Sequence, residues 1–172
     1  MGLKQRTQTP GTRDQQRLEW VLREARKHYR QGMTALELGP GDGTFPPHFR
    51  AIGYNVMSAG GPDPGGDWDH FAIDLQVEIL PVTFDFVHIG QVLEHVDDDA
   101  AALANACQMT RPGGLIIVSV PNFKDLTHVR TYSQASFDRL WAGKITELSV
   151  RVFKGRGRKC YCVAGRPIRE AR

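Results

Sequence analysis

Apolar residues recur along the chain at two spacings, and the changes between them divide it into elements. Leu18, Val21, Leu22, Ala25 and Tyr29 fall three and four residues apart. They predict a helix over Asp14–Arg30 with one apolar stripe, stopped at Gly32. The short apolar run Thr34–Leu38 predicts a first strand. A second helix, capped by Thr44 or Asp42, admits Pro46 and Pro47 only in its first turn and ends near Ile52. Tyr54–Ala59 predicts a second strand. Gly60–Gly66, broken by Pro62 and Pro64, excludes a helix. The crossover to a third strand at Phe71–Leu75 is therefore a loop of about a dozen residues, near the minimum for a parallel connection.

The second half repeats the alternation. Phe84–Ile89 predicts a buried fourth strand, and Asp97–Met109 a helix whose acidic start suits the positive end of its dipole. Arg111-Pro112-Gly113-Gly114 stops that helix. The continuous run Leu115–Val120 marks a central parallel strand. Ser133 caps a helix reaching Trp141, and Glu147–Phe153 and Lys159–Ala164 form a hairpin about Gly155 and Gly157. The pattern predicts an α/β fold: a doubly wound, mostly parallel seven-stranded sheet with a reversed antiparallel edge strand, and no full helix between strands two and three.

Composition narrows this to one domain, 14–172, preceded by a polar lead-in over 1–13 that contains Pro10-Gly11. No apolar run approaches the ~20 residues of a membrane span, and residues 1–30 lack the apolar core of a secretory signal. Three cysteines, Cys107, Cys160 and Cys162, form no disulfide framework. A cytoplasmic protein is expected. Charge is uneven: residues 1–30 and 151–172 each carry eight Lys/Arg, while 31–150 hold fifteen acids. The basic ends can attract an anionic partner, or serve only as solvated surface.

The candidate chemistry begins at Glu37-Leu38-Gly39-Pro40-Gly41-Asp42-Gly43-Thr44. Glycines at alternate positions let the backbone turn tightly and approach a ligand, at the carboxyl end of a strand where open α/β sheets bind ligands. The spacing is not the G-x-G-x-x-G dinucleotide fingerprint, and no Lys-Ser/Thr follows to make a P-loop. With Glu37 it reads E-x-G-x-G-x-G, which resembles motif I of the class I S-adenosylmethionine (SAM)-dependent methyltransferases. Further matches follow in that family's order. Phe84–His88 with Gln91-Val92-Leu93-Glu94-His95-Val96 resembles the fourth strand and turn of the small-molecule, ubiquinone-pathway-like branch. Arg111–Leu115 and Ser119–Asn122 resemble the entry and exit of the fifth strand, and His128–Ser133 resembles an H-x-R-x-[FY]-S segment.

The resemblance implies a Rossmann-like fold and SAM as cofactor. It implies that Gly39, Gly41 and Gly43 approach the methionine and ribose part. Glu37 is implied to fix the amino group, Asp74 at the end of strand three to read the adenine amine, and Gln91, with His88 or Ile89, to line the sulfonium region. The family's ribose-binding acid at the end of strand two is replaced by Gly60, with Asp63 a possible substitute three residues on. His95 and His128 are the candidate bases. Each can equally be a structural imidazole. Arg130 either binds an acidic substrate or pairs with the Asp97–Asp99 run. No metal site is expected, because His88, Glu94 and His95 do not share a face.

The function expected is methyl transfer from SAM to a small-molecule acceptor. The alternatives are a methyltransferase-like binding or regulatory protein that has lost catalysis, suggested by Gly60, and an RNA-directed enzyme, suggested by the basic hairpin Lys154–Lys159. The latter has little aromatic interleaving for base stacking. The short substrate-side insertion leaves the pocket open, or completed by another subunit.

Overall fold

The computed structural model describes residues 12–169. Most of the expected lead-in lies outside them. Its last two positions are already ordered parts of the first helix: Thr12 caps α1 (Arg13–His28) through a reciprocal pairing with Gln15. The other elements are β1 (Thr34–Leu38), α2 (Phe45–Ile52), β2 (Asn55–Ala59), β3 (Asp69–Phe71), β4 (Phe84–Gly90), α3 (Asp99–Met109), β5 (Thr110–Pro121), α4 (Gln134–Trp141), β6 (Ile145–Gly155) and β7 (Arg158–Pro167).

The seven strands form one sheet in the order β3-β2-β1-β4-β5-β7-β6. Pairings are parallel from β3 to β5, and β7 runs antiparallel to both β5 and β6. The order reverses between β1 and β4, so their carboxyl ends diverge and leave a crevice. Successive side chains point to opposite faces. Leu36, Leu38, Val87 and Ile89 pack with α3 and α4, around Leu103, Ile116 and Phe137. Ala35 and Phe86 pack on the other face with Trp20, Val21 and Phe49 of α1 and α2. Glu37 and His88, at the same alternate positions of strands β1 and β4, are direct cross-strand partners.

Two local features differ from the sequence expectation. Strand β3 covers only Asp69–Phe71, not Phe71–Leu75. The alternation of Phe71, Ile73 and Leu75 imitates a strand, but Gly60 N–H donates to Phe71 C=O and the chain then turns. Leu75 folds beneath Gly60, and its carbonyl accepts from Asn105 Nδ2. Asp74 thus lies three residues beyond the strand it was expected to close. The stop at Arg111–Gly114 is absorbed into β5 as an irregularity, with pairing running from Phe84↔Thr110 to Phe86↔Leu115. Arg111 there donates to Asp85, whose other carboxylate oxygen takes both the N–H and the hydroxyl of Thr34.

The loop replacing the crossover helix is pinned by side chains. Trp68 Nε1 donates to Ser58 Oγ at 3.0 Å, and Ser58 Oγ lies 2.8 Å from His70 Nδ1. His70 Nε2 reaches Gly61 C=O at 3.1 Å. A carbonyl only accepts, so Nε2 carries the ring proton and Nδ1 accepts from the serine.

Candidate active site

The glycine turn leaves β1 over residues with left-handed backbones: φ is 66° at Gly39, 57° at Gly41 and 76° at Gly43. The three are not equivalent. A Cβ on Gly39 would lie 2.4 Å from Val92 Cγ2, whereas one on Gly41 would meet nothing within 4 Å. Gly39 is needed for packing, and Gly41 is the position that opens onto empty space. Asp42 accepts from Thr44 N–H and its hydroxyl, which lowers the Asp42 pKa and leaves Thr44 making no side-chain cap on α2.

Two cavities meet at this turn. One, of about 430 Å³, is lined by Arg17, Glu37, Gly39, Gly41, Phe45 and Gln91, among others. The other, of about 610 Å³, lies towards Gly60, Asp63, Asp74, Gln91, Val92 and His95. Gly39, Gly41 and Gln91 line both, so the two are lobes of one trough across the ends of β1, β2 and β4. Gln91 has a φ of 60°, a strained state for a residue with a side chain. Its side-chain amide points to Cys160 Sγ at 3.5 Å.

Glu37 forms the floor of the first lobe and is 2% exposed. His88 Nδ1 lies 2.7 Å from Glu37 Oε2. Burial raises the Glu37 pKa, and the neighbouring His88 and then Arg17 offset part of that rise. His88 is fully buried against Phe45, with ring centres 4.3 Å apart. It therefore supports Glu37 from below and does not line the cavity, nor does the fully buried Ile89; Gly90 and Gln91 do.

Arg17 was not legible as a site residue. It stands on α1, over the Phe45 ring at 5.3 Å, and its Nη1 donates to Ser119 Oγ. The one available signal was a cation four residues before Val21, in register with the apolar stripe of the helix.

In the second lobe Asp63 Oδ1 accepts from Gly65 N–H, and Asp74 Oδ1 accepts from the backbone and side chain of Gln76. Position 60 has φ 88°, and a Cβ there would sit 3.2 Å from the Leu75 side chain, so an acid in place of the glycine would strain the backbone and crowd Leu75.

At the far end, Arg130 donates to the carbonyls of Leu93, Val96 and Asp97, and Tyr132 donates to Asp99. Arg130 Nε lies 3.5 Å from Asp99. Arg130 is thus a clasp that fastens the segment after β5 to the turn after β4. The clasp brings His95 and His128 together, with ring centres 4.9 Å apart. Glu94 lies beside them, and its burial pushes its pKa up to about 7. The sequence set His88, Glu94 and His95 is not a cluster; His128 takes the place of His88.

The sheet order and the reversed strand are those of solved methyltransferase structures. The chain belongs to the family described as "Methyltransferase domain", which matches residues 11–157. Solved structures share the fold. The N-methyltransferase NodS from Bradyrhizobium japonicum WM9, in complex with S-adenosylhomocysteine (SAH), superposes with a TM-score of 0.75 at 18% identity, covering 94% of this chain and 89% of its own. Magnesium protoporphyrin IX methyltransferase from Synechocystis PCC 6803, with bound SAM, gives a TM-score of 0.72 at 15% identity, covering 90% of this chain and 80% of its own. A sequence relative, an uncharacterized 37.1 kDa protein in transposon TN4556 of Streptomyces fradiae, is 28% identical over 137 residues. The match covers 71% of this chain but only 39% of that relative. Among the described residues, no helix is long and apolar enough to cross a membrane.

Proposed function

We propose that the trough holds SAM with its methionine end at Glu37 and Arg17 and its adenosine end along Gly60–Pro64 and Asp74, and that the methyl group passes to a small-molecule acceptor arriving at His95 and His128. The observation that carries this is the sharing of Gly39, Gly41 and Gln91 by both lobes. An extended ligand crossing them must lie against the glycine backbone. The first lobe offers one buried carboxylate and one guanidinium, complementary to the ammonium and carboxylate of an amino acid. The second offers the exposed carboxylates of Asp63 and Asp74, suited to ribose hydroxyls and an adenine amine.

Methyl transfer from a sulfonium is an in-line displacement, so the chain mainly orients its two substrates. The sulfonium would lie near Gln91, between the lobes. His95 and His128 direct their Nδ1 atoms to backbone carbonyls, leaving each Nε2 lone pair free to take the acceptor's proton. The acceptor side is also basic. Arg13 and Arg158 lie over the Phe123 ring at 5.0 and 4.4 Å, and Phe123 contacts His128. With Lys154 and Arg156 they line a cleft of about 700 Å³, which favours an acceptor carrying an anionic group.

Calorimetry with SAM and SAH tests this reading. Binding of both is expected; no detectable heat from either at millimolar concentration would sink it. RNA affinity that falls steeply with added salt would favour a nucleic-acid acceptor instead.

A further inference from the structure

We infer that Glu94, His95 and His128 form a binding site for one divalent first-row transition-metal cation at the acceptor end of the trough. Each residue offers one donor atom, and these atoms all lie within 4.8 Å of one another.

Three independent features prepare the donors. His95 Nδ1 lies 3.1 Å from Thr127 C=O, and His128 Nδ1 lies 2.9 Å from Phe123 C=O. Because a carbonyl only accepts, both Nδ1 atoms carry the proton and both Nε2 atoms present lone pairs. This is how metal-ligating histidines are oriented. Glu94 is 1% exposed, and its Oε2 is buried without a hydrogen-bond partner. Leaving a polar oxygen bare in the interior is costly, and a cation removes that cost. The third feature is the Arg130 clasp, which holds the two segments in register although His128 is remote from Glu94 in sequence.

Donor chemistry selects the ion. Two imidazoles and one carboxylate suit zinc, iron, cobalt, nickel or manganese, whereas magnesium and calcium prefer oxygen alone. Metal–ligand bonds of about 2.0–2.2 Å require donors roughly 3–3.5 Å apart. Glu94 Oε1 and His95 Nε2 are 3.9 Å apart, so side-chain rotation closes the set. His95 is 40% exposed and faces the 610 Å³ lobe, so the remaining coordination positions open towards the acceptor, as in a catalytic rather than a structural site.

The site deepens the methyltransferase reading and, for its use, rests on it. An acceptor hydroxyl that binds the cation gives its proton to water. Its oxygen then forms a bond to the methyl carbon as the sulfur–carbon bond breaks, and the sulfonium becomes a neutral thioether. The imidazoles act here as ligands, with the cation in place of a base. An acceptor with a second anionic oxygen would chelate.

The test uses the tag-free chain, dialysed against chelator and titrated with Co²⁺ alone, followed by calorimetry and visible absorption. Expected are binding of about one equivalent and d–d bands, with affinity falling at least ~10-fold in His128→Ala. His128 is half-buried, and circular dichroism checks that the variant folds; Glu94→Gln is the second variant. Absence of stoichiometric binding in the native chain, or equal affinity in folded His128→Ala, would overturn the proposal. Displacement of Co²⁺ by equimolar Mg²⁺ would overturn the choice of ion class. SAH binding to the metal-free chain is measured separately, so failure of the metal site and failure of the methyltransferase reading are distinguishable.

Discussion

His88 and Glu37 are cross-strand neighbours on β4 and β1, joined by a 2.7 Å hydrogen bond at a place water does not reach. The pair places a carboxyl group at the floor of the trough, where burial works against its charge. Glu37→Gln should therefore separate stability from binding. The folded-state pKa of Glu37 lies above its ordinary value of 4.5, so the folded chain binds this proton more readily than the unfolded chain does. Stability from this group is present at low pH and is lost as pH rises through the raised folded pKa. The glutamine variant escapes that loss. Urea titrations should show it gaining on the native chain as pH increases from about 4.5, while calorimetry shows SAH affinity reduced roughly 10- to 100-fold. A stability difference that fails to move in the variant's favour as pH rises would contradict this account.

The glycines of the turn should respond differently to substitution. Gly39→Ala drives a methyl group into Val92 and strains a left-handed backbone, and should cost about 3 kcal/mol of stability. Adding Val92→Ala should recover part of it, a coupling that a double-mutant cycle reads directly. Gly41→Leu meets open space, so it should retain its fold apart from about 1–2 kcal/mol of backbone strain. Its side chain would occupy ligand space, and SAH binding should weaken by about 100-fold or more, about 2.7 kcal/mol. Equal unfolding of both variants would show that backbone geometry dominates at both positions.

Asp85 links three segments, accepting from Thr34 and from Arg111. Asp85→Ala leaves the Thr34 N–H at the start of β1 without its partner. It should lower stability by about 2–4 kcal/mol. Asp85→Asn retains a carbonyl acceptor for Thr34 and loses only the charge facing the half-exposed Arg111; it should cost about 1 kcal/mol. Chemical denaturation of the two variants ranks them, and equal losses would place the effect in the Arg111 pair.

The parts legible in the sequence are those governed by local periodicity. The stripe of α1, the runs of β1, β4 and β5, and the final hairpin each bury a repeating set of positions, so the apolar pattern reports them. The glycine turn is legible because left-handed backbones demand it. Strand β3 was misplaced because a three-residue edge strand carries almost no pattern, while Leu75, packed under Gly60, imitates the next strand position. Arg17 was hidden because a helix pattern reports what the core needs, not what projects over a neighbouring turn. The sequence sets Glu94 and His95 beside His88 and leaves His128 apart, because what brings His128 to them is the Arg130 clasp, a contact between segments far apart in sequence.

Position 60 yields the last prediction. The family resemblance implies an acid there to hold the ribose, yet φ 88° and the Leu75 contact make one costly. Asp63 lines the same lobe and is held in place by Gly65 N–H. Gly60→Asp should therefore lose stability without gaining SAH affinity. Asp63→Ala should raise the SAH dissociation constant about 10-fold, about 1.4 kcal/mol, as expected for a lost hydrogen bond to a charged group. A 2′-deoxy analogue of SAH sharpens the test. It should bind the native chain more weakly than SAH does, by a similar factor, and should bind Asp63→Ala no more weakly than SAH does, because the two deletions remove one interaction. Additive losses would show that Asp63 does not hold the ribose and that this lobe binds the nucleoside without a carboxylate at that point.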